Sequence, residues 1–262
     1  MLSTGATPWP LLTHYQIRQH LSHRPLASAV RGECSPVTPL NVQSECAKVE
    51  RVHAIDAQLY QRFPMHESQP ERQSLRQLVR QRRKNLSPAA QQLAAQQLLA
   101  QFKQHPEILA AKRIALYLAN DGEINPLPTI HWLWAQHKEV YLPVLHPFTP
   151  GHLLFLRYTA TSPMVRNRYG IEEPELDILQ VVPHSTLDLI CTPLVAFDAQ
   201  GNRLGMGGGY YDRTLAIWHE HKLGPKPLGI AHDCQQVDAV PQEEWDVPLP
   251  QIITPSHCWR FE

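Results

Sequence analysis

The chain has 262 residues, of which 43% are hydrophobic, so it is long enough to bury the core of one large domain. The 24 Lys and Arg residues balance 24 Asp and Glu residues, so no overall charge draws the protein to nucleic acid or to a membrane surface. Five scattered cysteines without a Cys-x-x-Cys pair indicate neither a disulfide framework nor a zinc site. Because a secretory signal pattern and a membrane-spanning apolar run are both lacking, we expect a cytoplasmic protein.

The first 70 residues differ in composition from the remainder. They contain seven prolines, many His, Ser and Gln residues, and no sustained apolar period of either 2 or 3.6 residues. We predict that residues 1–70 form an N-terminal extension, either disordered or included upstream of a true start near Met65. A short helix around residues 45–62 is the single element that this stretch suggests.

From residue 71 to residue 262 the pattern predicts one folded domain. Helices are predicted over residues 73–84 and, after the N-cap pair Ser87-Pro88, over residues 88–103. The later elements are a strand at 113–119, a helix at 126–137, strands at 139–143, 153–158 and 187–197, a helix at 211–221, and strands at 227–231 and 251–254. This alternation predicts an α/β fold with a mainly parallel sheet flanked by helices on both faces, and with ligands beyond the carboxyl ends of the strands.

A glycine-rich run is the most informative local feature. Four of the twelve glycines fall within five residues of the run Arg203-Leu204-Gly205-Met206-Gly207-Gly208-Gly209-Tyr210-Tyr211-Asp212. Such a backbone can approach a ligand closely and aim successive N–H groups at an anion, and a helix beginning near Tyr210 adds its positive dipole end. The run is neither a P-loop nor a dinucleotide fingerprint, and a plain surface turn is the alternative. The flanking Arg203 and Arg213 and the paired tyrosines favour an anionic, aromatic ligand.

The first helix of the domain is strongly basic, and three interpretations of it are open. The basic residues could form a solvated face, a nucleic-acid patch or part of a nucleotide triphosphate site, although the neutral chain disfavours nucleic acid. Two of them, Arg72 and Arg76, are four residues apart and therefore share one helix face. The full set is Arg72, Arg76, Arg80, Arg82, Arg83 and Lys84.

Four separated motifs together resemble the 5-formyltetrahydrofolate cyclo-ligase family, also called methenyltetrahydrofolate synthetase. They are the glycine loop with its Tyr-Tyr-Asp ending, RQSLR at 72–76, LANDGE at 118–123 and EWDVP at 244–248. The resemblance runs from about Arg72 to Pro255. It implies a ligase of one-carbon metabolism that uses ATP to convert 5-formyltetrahydrofolate into 5,10-methenyltetrahydrofolate, ADP and phosphate, through phosphorylation of the formyl oxygen. It implies no proton-transfer catalyst, because the nitrogen nucleophile belongs to the substrate.

The resemblance also implies the binding residues. We expect ATP at Arg72, Gln73, Ser74, Leu75, Arg76, Arg203, Leu204, Gly205, Met206, Gly207, Gly208, Gly209, Tyr210 and Tyr211. We expect the folate at Leu118 by apolar packing, at Glu123 by hydrogen bonds from the pterin, and at Met206, Gly207, Gly208, Gly209 and Tyr210. We expect Mg²⁺ at Asp212 and Asp246, together with phosphate oxygens and water. The sequence departs from the family at Arg72, where lysine is usual, and at Met206, where some relatives carry a basic residue.

Two other functions stay open at this point. A relative that has lost catalysis could bind RNA through the basic first helix, although Glu123 and the two aspartates would then have no purpose together. An enzyme of the same fold could act on another phosphorylated or carboxylated small molecule, although Glu123 and the tyrosine pair favour folate. Apart from folate and ATP we expect no membrane or nucleic-acid partner, and we expect a monomer.

Overall fold

The computed structural model describes residues 70–261, so the predicted extension, apart from Pro70, and the helix suggested at 45–62 lie outside the described residues. Its helices are α1 (Pro70–Lys84), α2 (Pro88–Gln104), α3 (Pro106–Ala110), α4 (Leu127–Ala135) and α5 (Tyr210–His221). Its strands are β1 (Arg113–Ala115), β2 (Glu139–Leu145), β3 (Leu153–Tyr158), β4 (Met164–Arg166), β5 (Glu172–Pro174), β6 (Val181–Val182), β7 (Leu189–Pro193), β8 (Ala196–Phe197), β9 (Arg203–Leu204), β10 (Lys226–Ile230), β11 (Gln251–Ile253) and β12 (Cys258–Arg260).

Eight strands form one mixed sheet in the order β12-β11-β10-β7-β1-β2-β3-β6. The five strands from β11 to β2 in this order are parallel, while β12 at one edge and β3 and β6 at the other pair in antiparallel fashion. The predicted α/β fold with a mainly parallel sheet is therefore confirmed, with antiparallel strands added at both edges. Because the carboxyl ends of parallel strands lie at the same edge of a sheet, the segments that follow β1 and β7 begin at that same edge.

Helices cover both faces of this sheet. Successive strand residues point to opposite faces, so Ile114 and Ala115 of β1 belong to two different buried clusters. The Ile114 cluster takes in Leu98 of α2 and Ile130 of α4, and the Ala115 cluster takes in Leu215 of α5. No helix within residues 70–261 is both long and apolar enough to cross a membrane.

Helix α2 begins where local chemistry favours a start. The side chain of Ser87 accepts a hydrogen bond from the N–H of Ala90 at 3.2 Å, and Pro88 occupies the first turn of α2, as predicted. Helix α1 begins at Pro70, three residues before its predicted start. Its Val79 is fully buried against the small two-stranded ribbon of β8 and β9, so α1 packs beside the main sheet and not on a face of it.

The predicted strand at 187–197 is wrong as a single element. Strand β7 ends at Pro193, which has no N–H to continue the ladder, and the chain then leaves the main sheet. The N–H of Val195 bonds to the carbonyl of Leu204 at 2.7 Å, and β8 pairs with β9 in antiparallel fashion. The glycine loop therefore follows a strand of this ribbon and not a strand of the main sheet.

Candidate active site

A cavity of about 740 Å³ opens at the carboxyl edge of the parallel strands, and this volume lies in the usual range for ligand sites. Fourteen of the predicted site residues line it: Arg72, Arg76, Leu118, Glu123, Arg203, Gly205, Met206, Gly207, Gly208, Gly209, Tyr210, Tyr211, Asp212 and Asp246. Four others lie outside the lining. Gln73 and Ser74 are exposed on α1, and Leu75 and Leu204 pack in the cluster around Val79, so their contact with ATP stays a prediction.

Two arginines hold the glycine loop by its carbonyl groups. The Nε of Arg76 donates to the carbonyl of Gly205 at 2.8 Å, and Nη1 of Arg213 donates to the carbonyl of Gly208 at 2.9 Å. In a trans peptide the next N–H points away from the carbonyl. The N–H groups of Met206 and Gly209 are therefore directed away from these two guanidinium groups, which leaves them available to another acceptor.

Helix α5 begins at the end of this loop without a side-chain cap. Its N-cap is Gly209, whose backbone is left-handed with φ at 66°, a conformation that costs glycine little. The N–H groups of the first helical turn thus meet the cavity without a capping side chain. An anion at this position would be stabilised by both the N–H groups and the helix dipole.

The two candidate metal ligands are both paired with arginines. Asp246 accepts two hydrogen bonds from the guanidinium of Arg72, one of them to Oδ1 at 2.9 Å, and also binds the N–H of Glu243. Oδ1 of Asp212 accepts from Nη2 of Arg203 at 2.5 Å. Burial disfavours the charged form of Arg72, but its hydrogen bond to Asp246 and the negative charges of Asp246, Glu243 and Asp212 together outweigh burial and raise the pKa of Arg72 above its ordinary value. Arg72 therefore stays charged in the cavity wall.

The residues fit a partial magnesium site. Carboxylate oxygens suit this hard cation, which usually completes its shell with phosphate oxygens and water. Among residues 70–261, Asp212 makes hydrogen bonds through Oδ1 alone, so its Oδ2 is available, whereas both oxygens of Asp246 bind Arg72. The same residues contain no group of three or more His, Cys, Asp or Glu side chains arranged to hold an ion. A metal here would thus need oxygens from a bound ligand.

Glu123 is largely buried in the cavity wall. Its side chain is 14% exposed, and its Oε2 accepts a hydrogen bond from the N–H of Asn120 at 3.1 Å. Burial raises the pKa of Glu123 to about 7, although the nearby Arg83 opposes this rise. Burial raises the pKa values of Tyr117 and Tyr211 too, and the charge of Glu123 adds to both increases. A ligand that donates hydrogen bonds would stabilise the ionised form of such a poorly hydrated carboxylate.

The structure answers one question that the basic helix left open. Arg72, Arg76 and Arg83 are all buried, so the solvated-face interpretation is wrong for these three. Burial, together with the charge of Arg72, lowers the pKa of Arg76 from its ordinary value. The exposed cations Arg82 and Lys84 are what remains of a solvated basic face.

Sequence reasoning missed one wall of the cavity. The hairpin of β4 and β5 places Asn167 and Tyr169 on the lining, and the hydroxyl of Tyr169 lies 3.0 Å from that of Tyr210. Nη2 of Arg168 also donates to Tyr210 at 2.8 Å. The signal was an Asn and a Gly three residues apart, since Asn167 and Gly170 close the hairpin turn with a 2.9 Å backbone hydrogen bond.

The fold and the cavity define an α/β protein with a phosphate-type anion cradle beside a buried carboxylate acceptor. A model of the 5-formyltetrahydrofolate cyclo-ligase family matches residues 68–255. The chain belongs to this family.

Individual relatives agree with this assignment. The 5-formyltetrahydrofolate cyclo-ligase of Escherichia coli (strain K12) is 50% identical over 184 residues, which cover 70% of this chain and 100% of that protein. The Haemophilus influenzae enzyme of the same name is 50% identical over 182 residues, or 70% of this chain and 96% of that one. The NMR structure of Aquifex aeolicus 5,10-methenyltetrahydrofolate synthetase superposes with a TM-score of 0.62 at 28% identity, covering 73% of this chain and 93% of that one.

Proposed function

We propose that the protein joins the formyl carbon of 5-formyltetrahydrofolate to the nitrogen at position 10, and that it uses ATP to do so. The products are 5,10-methenyltetrahydrofolate, ADP and phosphate. Family membership supports the ligase activity. The observation that carries the use of ATP is the glycine loop, which lies in one cavity with Arg72, Arg76 and Glu123.

The chemical difficulty lies in the formyl oxygen, which is a poor leaving group. In the proposed reaction this oxygen attacks the γ-phosphorus of ATP, so an O–P bond forms and the bond to ADP breaks. The nitrogen at position 10 then adds to the formyl carbon and loses its proton to water. Phosphate leaves with the former formyl oxygen, and the ring carries the resulting positive charge. Such phosphoryl transfer needs positioning and charge neutralisation more than covalent help from the protein.

The residues divide between the two ligands according to their chemistry. The cradle of Gly205 to Gly209 and the start of α5 would bind the phosphates through backbone N–H groups, with Arg72 and Arg76 adding charge. Leu118 and Glu123 would hold the pterin by apolar contact and by accepting hydrogen bonds. Because the transferred phosphoryl group must lie between the two ligands, the loop contacts both.

A divalent cation completes the proposed site. Five arginines and seven carboxylates line the cavity, so the wall alone does not neutralise a triphosphate. Mg²⁺ would supply charge neutralisation at the phosphate oxygens when bound. Asp212 would offer Oδ2, and Asp246 would contribute if Arg72 moved from its carboxylate to a phosphate.

The RNA-binding alternative gains no support. Its basic surface would have been α1, but Arg72, Arg76 and Arg83 are engaged with Asp246, Gly205 and Asp121 inside the protein. We further propose that the enzyme acts as a monomer, because the residues proposed for both ligands line one cavity within a single chain, and that it works in the cytoplasm. Light scattering at assay concentration tests the first point, since a dimer would contradict it.

Formation of the methenyl product, followed by its absorbance, tests the proposal directly. The protein should convert 5-formyltetrahydrofolate only when ATP is present, and Asp246→Asn and Arg76→Ala should sharply reduce the rate while circular dichroism shows a folded protein. Full activity in both variants would remove the site model. A protein beginning at Met65 tests the extension, and we expect it to turn over as fast as the full chain.

A further inference from the structure

Arg83, near the end of α1, is a fully buried cation that the proposed mechanism does not use. Its Nη2 lies 2.9 Å from Oδ2 of Asp121, and its Nε donates to the carbonyl of Asp121 at 2.8 Å. Its Nη1 donates to the carbonyl of Leu194 at 3.4 Å and lies 3.9 Å from Oε1 of Glu123. One guanidinium thus joins α1, the segment after β1 and the segment after β7.

These contacts fix the guanidinium firmly. A buried charge is costly unless oxygen acceptors surround it, and removing one partner of such a set is strongly destabilising. The tight turn at Asp121 and Gly122, with φ values of 52° and 79°, brings residues 121 and 123 to the same cation. The turn therefore presents Glu123 at a distance set by Arg83.

Asp121 binds two further cations, which provide a natural comparison. Nε of Arg80 and Nζ of Lys84 each lie 2.5 Å from a carboxylate oxygen of Asp121. Within residues 70–261, Arg83 is the cation whose contact with Glu123 is close enough to count as an ion pair. Lys84 is half-exposed, so replacing it removes one cation beside Asp121 and leaves the contacts of Glu123 unchanged.

We propose that Arg83, held in place by Asp121, is the positioning residue that favours the ionised form of the folate acceptor Glu123 and fixes its carboxylate at the cavity wall. This inference rests on the proposed function, because it takes Glu123 as the acceptor for the pterin. It adds a role for two residues that do not themselves need to touch the substrate.

The electrostatic surroundings of Glu123 support this role. Tyr117 faces it from the segment after β1, Tyr211 from α5, Asp121 from its own turn and Arg83 from α1. Burial and the charge of Asp121 raise the pKa of Glu123, whereas Arg83 lowers it. Without the cation the carboxyl group would hold its proton to higher pH, and it would then present one acceptor oxygen fewer to the pterin.

Binding of 5-formyltetrahydrofolate without ATP, titrated between about pH 5.5 and 8.5, tests the inference. Wild-type affinity should fall as pH decreases through about 7, where Glu123 gains its proton. In Arg83→Gln this midpoint should move upward by about one pH unit. Lys84→Gln should keep the wild-type midpoint and an affinity within about twofold.

A second variant is needed because loss of a buried arginine can prevent folding. Asp121→Asn preserves size and shape but releases Arg83 from its anion. Its own loss of charge lowers the pKa of Glu123, so at pH 8.5 the carboxylate is ionised and any weakening reports position alone. We expect roughly tenfold weaker binding there.

The possible results separate the two proposals. If wild-type protein does not bind 5-formyltetrahydrofolate, or if Glu123→Gln keeps both the affinity and the pH curve of wild type, the folate site itself is wrong and this inference falls with it. If Glu123→Gln loses affinity as expected, but Arg83→Gln keeps the wild-type midpoint and Asp121→Asn keeps the wild-type affinity at pH 8.5, the positioning role alone is wrong. If Arg83→Gln does not fold, Asp121→Asn at pH 8.5 decides.

Discussion

Replacing Glu123 by glutamine should stabilise the protein at alkaline pH. The native carboxyl group has a pKa of about 7, against an ordinary value of 4.5. Below about pH 4.5 it is protonated in both states, so it contributes nothing. Between about 4.5 and 7 the native state retains a proton that the unfolded state has released, so the free energy of unfolding falls as pH rises. Above pH 7 the loss is complete and constant.

The size of this loss follows from the shift. A difference of about 2.5 units, at 1.36 kcal/mol per unit, makes the ionised carboxylate cost roughly 3 kcal/mol of stability at pH 8. Glu123→Gln carries no charge and avoids this cost. The stability advantage of the variant should therefore grow by roughly 2 to 3 kcal/mol between about pH 5 and pH 8.

Urea unfolding at several pH values, with wild type and variant measured side by side, gives this difference directly. Titrations of all other groups cancel in the comparison. Glu175→Gln is a matched control, because it makes the same chemical change at an exposed side chain outside the cavity lining. A pH-independent difference for Glu123→Gln, or a wild type more stable than the variant at pH 8, would refute the burial argument.

Three further predictions concern the phosphate side of the cavity. Arg76→Met removes a charge-assisted hydrogen bond to Gly205 that is worth about 1.5–3 kcal/mol, so KM for ATP should rise roughly 10- to 100-fold while KM for the folate changes little. Arg82→Gln removes an exposed cation of the same helix, and an equal rise of KM in that variant would contradict this reason. Gly209→Ala forces a left-handed backbone on alanine and places its Cβ 2.8 Å from Nη1 of Arg213. The free energy of unfolding should therefore fall by about 1–2 kcal/mol, and KM for ATP should rise. An unchanged thermal unfolding temperature would contradict this prediction. Chelation of divalent cations should abolish turnover, and Asp212→Asn should need more Mg²⁺ than wild type for half-maximal rate at saturating ATP; equal Mg²⁺ curves would remove Asp212 from the metal site.

The parts of the site that local sequence determines could be predicted. The glycine loop and the start of α5 depend on residues within one short run, because glycine alone makes the left-handed N-cap at Gly209 inexpensive. Motif resemblance located Glu123 and Asp246, which line the same cavity although 123 residues separate them. The central parallel sheet followed from the alternation of strand and helix patterns, since each pattern has its own period.

The remainder depends on pairings between distant segments. The composition of the basic run in α1 favours a solvated face. Arg83 can be buried because Asp121 and Leu194 supply oxygen acceptors for its guanidinium, and this pairing is not visible in the local sequence. The apolar run at 187–197 reads as one strand, but its second half finds a better partner in Arg203 and Leu204. The cavity wall at Tyr169 comes from a short exposed hairpin, whose strands have too little apolar alternation to be recognised.

The charge of the cavity restricts how ATP could bind at the proposed site. Arg72 and Arg203 are already paired with carboxylates, and the lining has more carboxylates than arginines, so net attraction for a triphosphate is absent before a cation arrives. The glycine loop contributes fixed orientation of its N–H groups, because Arg76 and Arg213 donate hydrogen bonds to the carbonyls of Gly205 and Gly208. If the proposed ATP site is correct, we expect it to bind the metal complex of the nucleotide more tightly than free ATP. Replacing Asp212 or Asp246 by asparagine should therefore reduce the ratio of the affinities for Mg²⁺-bound and free ATP. Direct binding of both forms of ATP to each variant would measure this ratio.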